Sequence, residues 1–390
     1  MFLHGTLFAC LCLQRFCVYL GDSPVYIALP VFLVLLAWLL ATGRAALRPS
    51  AVLLFGLVAC VGIVSTLVAL DSYDRRIGSI SPVSLSALLI LYIGLTVRPT
   101  VRFDVRQGFD VFIFYIRLCA VLGIAQYLAQ FVGVRLFSFM LAVPALKPIL
   151  VEPLFNYQPI VAYGSTVLRS NGFFLVEPSV FSQLLALGVI VEVFVRREWR
   201  YLPLYGVAYL FTYAGTGLLS LAVAAVMFLI VAPGRSPRIL AFALFALVLG
   251  GVAAVTFPDQ FGQLAGRSDE LSYSGSSGYA RYMNQFVILD AVQHETRTLI
   301  GFGPGSLERA TFFTSGGTSA ALKLYIDYGV FGLLSFSAFL IGTLWRREIA
   351  FVSLFVLVNF QLGGGNLLFA PLIVISAILC VWATPVVRSE

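Results

Sequence analysis

Charged side chains are what this sequence has least of: 11% of its 390 residues are Asp, Glu, Lys or Arg, against 60% hydrophobic. Soluble proteins are about 25% charged and about 45–50% apolar. A soluble fold of this size needs a polar exterior that so few charges cannot supply. A cytosolic enzyme, a secreted disulfide scaffold and a disordered chain are therefore excluded. The composition is that of a chain that crosses a membrane many times.

Cysteine and histidine are also scarce. Cys10, Cys12, Cys17, Cys60, Cys119 and Cys380 all fall in apolar segments. Their spacing gives neither a disulfide framework nor a metal site, so they read as small buried apolar residues. Among the basic residues lysine is rare, and 23 of the 25 are arginine. A genomic base-composition bias explains this as well as a need for guanidinium forks, which suit phosphate groups better than ammonium does. The arginines are scattered through loops and not gathered on one domain, which argues against nucleic acid as a partner.

Long apolar runs are plentiful. A spanning helix needs about 20 mainly apolar residues. Twelve segments qualify, at roughly 2–20, 25–41, 51–70, 82–97, 109–133, 177–195, 201–214, 217–232, 239–256, 320–344, 349–363 and 366–384. The first is weak, because it carries His4, Gln14 and Arg15, and it lacks the start and cleavage site of a signal peptide. The pair 201–214 and 217–232 reads as a tight hairpin of short helices joined by Ala214-Gly215-Thr216-Gly217. The expected fold is all-α: a polytopic transmembrane bundle of about 12 spans forming a single membrane domain over residues 1–390.

Short basic connections carry Arg44/Arg48, Arg98/Arg102/Arg106, Arg196/Arg197/Arg200, Arg235/Arg238 and Arg346/Arg347, and Arg388 ends the chain. With twelve spans all of these share one side, which the positive-inside rule makes cytoplasmic, with both termini inside. The two long connections, 134–176 and 257–319, then face outward. Structureless loops beyond about 12–15 residues are uncommon, so both are expected to be folded and partly helical. Arg117 lies inside span 109–133, where a charge is usually paired. Glu192 is at a compatible depth, and a structural Arg117–Glu192 ion pair is predicted.

Two motifs mark the long loops. Arg169-Ser170-Asn171-Gly172-Phe173-Phe174-Leu175-Val176-Glu177-Pro178-Ser179 closes the first loop and opens a span, with Pro178 suited to a first helical turn. Arg169 and Glu177 then sit at the membrane interface beside a helix N-terminus, which favours anions. The second loop holds Gly278-Tyr279-Ala280-Arg281-Tyr282 and, further on, Gly301-Phe302-Gly303-Pro304-Gly305. That glycine run is no dinucleotide fingerprint, since it follows no strand of a βαβ unit. It suits a tight turn that lets the backbone approach a ligand.

This ordered set resembles the O-antigen polymerase and O-antigen ligase superfamily of bacterial envelope polysaccharide assembly. The similarity runs over about 165–335: Arg169–Ser179, the short helix pair, Ser277–Arg281, Gly301–Gly305, and a span entering as Leu324-Tyr325-Ile326-Asp327-Tyr328-Gly329. The resemblance implies a metal-independent membrane glycosyltransferase of the GT-C kind, without cofactor, in the bacterial inner membrane and with its active site facing the periplasm. Its substrate would be an undecaprenyl-pyrophosphate-linked oligosaccharide. Membrane lipid, a chain-length regulator and a flippase would be its partners. By motif position Arg169 and Arg281 resemble the pyrophosphate-binding arginines. Preorganised cations in a low-dielectric cleft stabilise a departing pyrophosphate without a metal ion.

One departure separates polymerase from ligase. Ligases of the superfamily carry a His-Asn pair shortly before the last long-loop span, where this chain has Thr318-Ser319. The nearby His294 precedes the glycine turn, and His294-Glu295-Thr296-Arg297 lacks the second histidine of a zinc motif. The expectation is therefore a polysaccharide polymerase that moves a growing glycan from its lipid pyrophosphate to a sugar hydroxyl of a second lipid-linked repeat unit. A ligase acting on lipid A-core or protein is the first alternative, and a lipid-linked sugar flippase or transporter the second. The acceptor hydroxyl needs a base within hydrogen-bond reach. Glu177 is the first candidate and Asp327 the second, although Lys323 one turn earlier can neutralise Asp327. Asp269 and Glu270 follow. His294, Arg297, Thr318 and Lys323 are lesser candidates for the site. Asp71 and Asp74 read as a solvated turn.

Overall fold

The computed structural model describes residues 1–20, 23–71, 79–104, 107–137, 140, 143–151, 160–161, 165–231, 272, 279–292, 296–310, 318–363 and 365–383. Within them the chain is predominantly helical, in the order α1 (Phe2–Leu11), β1 (Cys17–Leu20), β2 (Ser23–Tyr26), α2 (Ala28–Ala41), β3 (Ala45–Leu47), α3 (Pro49–Asp71), α4 (Pro82–Tyr92), β4 (Val97–Pro99) and α5 (Gly108–Ala129). Then follow α6 (Pro178–Ile190), α7 (Leu202–Leu210), α8 (Thr216–Val231), α9 (Asn284–Val292), α10 (Ala320–Leu344), α11 (Ala350–Leu362) and α12 (Ala370–Val381). Proline stands in the first turn of α4, α6, α7 and α12, where its missing N–H has no helical acceptor to lose.

Among the described residues, four helical stretches are long and apolar enough to cross a membrane: Pro49–Asp71, Gly108–Val132, Pro178–Arg196 and Ala320–Leu344. Five shorter apolar stretches accompany them: Phe2–Leu11, Ala28–Ala41, Pro82–Thr96, Thr216–Val231 and Ala370–Val381. The predicted short helix pair is present as α7 and α8, with the Tyr209 hydroxyl bracing the turn by donating to Ala214 O at 2.6 Å. The predicted span 239–256 lies outside the described residues.

Two expectations need correction. The first apolar segment does not run as a helix over 2–20, because α1 stops at Leu11 and the chain turns into the hairpin β1–β2. Gln14 and Arg15 are buried, and both hydrogen-bond to the first long loop, which holds the backbone away from a helical path. The fold is also not purely α. β3 pairs antiparallel with β4, Ala46 opposite Arg98, so the connections holding Arg44/Arg48 and Arg98/Arg102 lie side by side.

Among the described residues the largest apolar core involves α1, α6, α11 and α12, and a smaller one joins Ile288 and Val292 of α9 to Phe302, Leu307 and, on α10, Leu322 and Ile326. α6, α7 and α8 pack together with α11, and α3 lies along α10. Two of these elements carry the motifs: α6 follows the Arg169–Glu177 segment, and α10 receives the glycine run.

Candidate functional site

The Arg169–Glu177 segment is built on α5. Two glutamines one turn apart, Gln126 in α5 and Gln130 just past its end, face it. The Gln130 amide acts as a strand partner: its Nε2 donates to Leu168 O at 3.1 Å and its Oε1 accepts from Leu168 N at 2.9 Å. Gln126 Oε1 accepts from Ser170 Oγ and Asn171 N, each at 3.2 Å. Ser170 Oγ lies at 2.9 Å from Gly123 O as well, sharing its one hydroxyl hydrogen between the two acceptors, and Ser170 N donates to Phe211 O at 2.8 Å. Gly172 and Phe173 both adopt a φ of 71°, which makes a tight turn. A Cβ at Gly172 would lie 2.8 Å from the Phe181 ring, so glycine is required there on both counts.

Arg169 is half-buried, and its Nε donates to Ile160 O at 2.8 Å across the Ile160–Leu168 bridge. Glu177 occupies the N-cap of α6 in extended conformation, a position the helix dipole favours for an anion. Its carboxylate accepts from Ser179 Oγ at 2.8 Å and does not fold back onto the first-turn amides. Behind it, α6 meets α8 backbone to backbone: Gly217 N donates to Ser182 Oγ at 3.2 Å, and a Cβ on Gly217 would fall 2.3 Å from Ser182 O. The Thr-Gly turn thus fixes α8 against the helix that Glu177 caps.

The glycine run approaches another part of the chain, and no ligand is needed to account for it. α10 breaks at Gly329, with φ 70° and ψ −168°. The break frees the Ile326 and Asp327 carbonyls, which accept from Phe302 N and Gly303 N, each at 2.9 Å, and Ser65 Oγ donates to Asp327 O at 2.9 Å. The Asp327 side chain is fully buried and accepts four bonds: Gly305 N at 3.0 Å, Ser306 Oγ at 2.9 Å, Leu307 N at 3.1 Å and Lys323 Nζ at 2.8 Å. A carboxylate offers about four lone-pair sites. All are in use, so Asp327 holds the second loop on α10 and has no site left for a sugar hydroxyl. Lys323 pairs with it as its i+4 spacing suggests, and also binds Glu308, with Nζ 2.6 Å from Glu308 Oε1.

The other predicted residues are spread around this second centre. Arg281 lies in a π-helical turn, Tyr279–Met283, that leads into α9, and its side chain lies outside the described residues. The neighbouring Tyr282 hydroxyl donates to Leu362 O at the end of α11, at 3.4 Å. Arg297 donates to Val68 O at 3.5 Å and stands over the Phe302 ring at 5.6 Å. Thr318 is buried and its carbonyl accepts from Gly365 N at 3.1 Å, while Ser319 caps α10 by accepting from Leu322 N at 3.3 Å. His294, Asp269, Glu270 and Asp74 lie outside the described residues.

The predicted Arg117–Glu192 pair is present, with Arg117 Nη2 2.7 Å from Glu192 Oε1. It belongs to a larger network: Arg117 also reaches Glu198 at 3.2 Å, Arg196 bonds Glu198 at 3.0 Å and Asp110, and the Tyr205 hydroxyl donates to Glu192 at 3.2 Å. Arg117 also stacks on Tyr201, 3.3 Å from the ring centroid.

Helices of spanning length and composition, with charged motif loops fastened to their ends, define the class: this is a membrane protein. The comparisons make that specific. The family model for WcaD colanic acid polymerase matches residues 6–336. The chain belongs to that family, a family of polysaccharide polymerases, which makes it an enzyme of the glycosyltransferase type. The resemblance to the O-antigen polymerase superfamily is thereby borne out. No curated protein and no solved structure matches the chain.

Proposed function

We propose that this protein polymerises a bacterial envelope polysaccharide by moving a growing glycan from undecaprenyl pyrophosphate to a sugar hydroxyl of a second lipid-linked repeat unit, without a metal ion. The observation that carries the reading is the braced Arg169–Glu177 segment: a cation and a carboxylate on one short stretch of chain, held by Gln126 and Gln130 at the head of α6. Glu177 takes the proton from the acceptor hydroxyl as its oxygen attacks the anomeric carbon. The glycosidic bond to pyrophosphate breaks, and Arg169 and Arg281 stabilise the charge that builds on the leaving group. Donors placed where charge develops contribute about 3–4 kcal/mol each, or 10²–10³ in rate.

The two alternatives have less support. Where ligases carry their His-Asn pair, Thr318 and Ser319 serve the backbone of α10 and its neighbour. Transporters often use a broken helix to bind substrate near the bilayer midplane. Here the break at Gly329 is filled by the chain's own backbone. The sidedness we propose is a site facing the periplasm and both termini in the cytoplasm, alongside a flippase and a chain-length regulator.

Arg169→Ala and Arg281→Ala test the reading in cells that depend on this chain for polymer. Each is expected to abolish long-chain polymer while the protein stays in the membrane. Normal chain length in either would refute it.

A further inference from the structure

The motif segment of the first loop is pinned from a part of the chain that no motif includes. Arg15 is 1% exposed and Gln14 fully buried, in the stretch between α1 and β1. Arg15 Nε donates to Leu175 O at 3.2 Å, and Asn171 Nδ2 donates to the same carbonyl at 2.8 Å. Next to it, Val176 N donates to Gln14 Oε1 at 3.0 Å. These bonds fall one and two residues before Glu177. On the other side the Arg15 carbonyl accepts from Val151 N at 2.9 Å, and Phe16 bridges Leu150. A buried two-residue stretch therefore ties together both halves of the first long loop and the approach to α6.

We propose that Arg15 is a positioning residue for the polymerase reaction: through its Nε–H bond to the Leu175 carbonyl it sets the path of the chain between Arg169 and Glu177. A buried guanidinium is costly to desolvate. Its bond to the Leu175 carbonyl offsets part of that cost. Misplacing a reacting group by about 1 Å can lower a rate by 10²-fold. The role rests on the proposed function above, since it assigns Arg15 to the segment that carries Arg169 and Glu177.

Two variants separate a hydrogen bond from a charge. The Nε2 of glutamine stands as many bonds from the backbone as the Nε of arginine, so Arg15→Gln keeps a donor in place and removes the charge. Arg15→Met keeps length and loses the donor. Amide exchange of the full-length protein in lipid nanodiscs reads the anchoring directly. In Arg15→Met the 169–177 segment is expected to exchange about tenfold faster, with residues 301–307 unchanged. Arg15→Gln should resemble the wild type. Chain elongation should fall at least tenfold in kcat for Arg15→Met and recover most of the wild-type rate in Arg15→Gln. Unchanged protection over 169–177 in Arg15→Met overturns the proposal, as does equal loss in both variants. So does a wild-type elongation rate in a variant whose segment has loosened. If the wild type itself elongates nothing, the functional reading fails and the positioning role for this reaction fails with it. The exchange result then still shows whether Arg15 anchors the segment.

Discussion

Gly301 and Gly329 meet backbone against backbone: a Cβ on Gly301 would lie 2.5 Å from Gly329 N, and one on Gly329 would lie 2.4 Å from the Leu299 carbonyl. Both residues also have left-handed φ, 90° and 70°. The break in α10 and the glycine run of the second loop are thus two halves of one joint.

Alanine at either position therefore meets both backbone strain and a backbone clash. Strain alone costs about 1–3 kcal/mol. Gly301→Ala and Gly329→Ala are each expected to lower thermal stability by at least that much in a detergent melt followed by size exclusion. Gly215→Ala should be near neutral, because nothing lies within 4 Å of the Cβ it would add. A melt unchanged by Gly329→Ala would mean that the joint does not hold the loop.

Asp327 should behave as a structural carboxylate. Breaking a buried pair from one side costs about 3–5 kcal/mol, because the partner's charge is stranded. Asp327→Asn is expected to destabilise by an amount of that order, as Lys323 keeps only the half-exposed Glu308. The double variant Asp327→Asn with Lys323→Met should lose less than the sum of the two single losses. Full stability with no polymerisation in Asp327→Asn would return Asp327 to the role of base.

Glu177 is the contrasting case. Glu177→Gln should keep the fold, since the glutamine amide oxygen can still accept from Ser179 Oγ. It should lower kcat by about 10²–10⁴-fold, the range for a lost general base. Wild-type turnover in purified Glu177→Gln would assign the base elsewhere.

The Arg117 network makes a stability prediction with a pH signature. Burial pushes the Glu198 carboxyl up, but Arg196 and Arg117 outweigh this and hold it below the ordinary value. A depressed folded pKa gives stability that is present above the unfolded pKa and lost as pH falls through the folded one. The gap in melting temperature between wild type and Glu198→Gln should be constant above about pH 5 and close on acidification below about pH 4. A gap that persists at low pH would show that Glu198 contributes through packing alone.

Much of this was legible in the sequence, for identifiable reasons. α10 follows from a long apolar run that holds only Lys323 and Asp327 as charges, and the α7–α8 turn from its glycines. The Arg117–Glu192 pair follows from the cost of leaving a charge unpaired in an apolar span. The end of α1 was only hinted at by Gln14 and Arg15, since the rest of residues 12–20 is apolar, and it is the contacts of these two with a loop far along the chain that turn the backbone aside. The role of the glycine run was hidden for a similar reason. Its partner is a break at Gly329, and an isolated glycine inside a helical pattern does not by itself mark a break. Gln126 and Gln130 did leave a signal, two amides at i and i+4 at the end of α5, which marks one face there as polar.

The most direct test is turnover by the purified protein with an undecaprenyl-pyrophosphate-linked repeat unit, run with and without a chelator and resolved by chain length. The account predicts a ladder of products that lengthens with time, is indifferent to the chelator, and is missing in Arg169→Ala. A ladder abolished by chelation would contradict the metal-independent chemistry. No glycan transfer between lipid-linked units under any condition would contradict the polymerase itself.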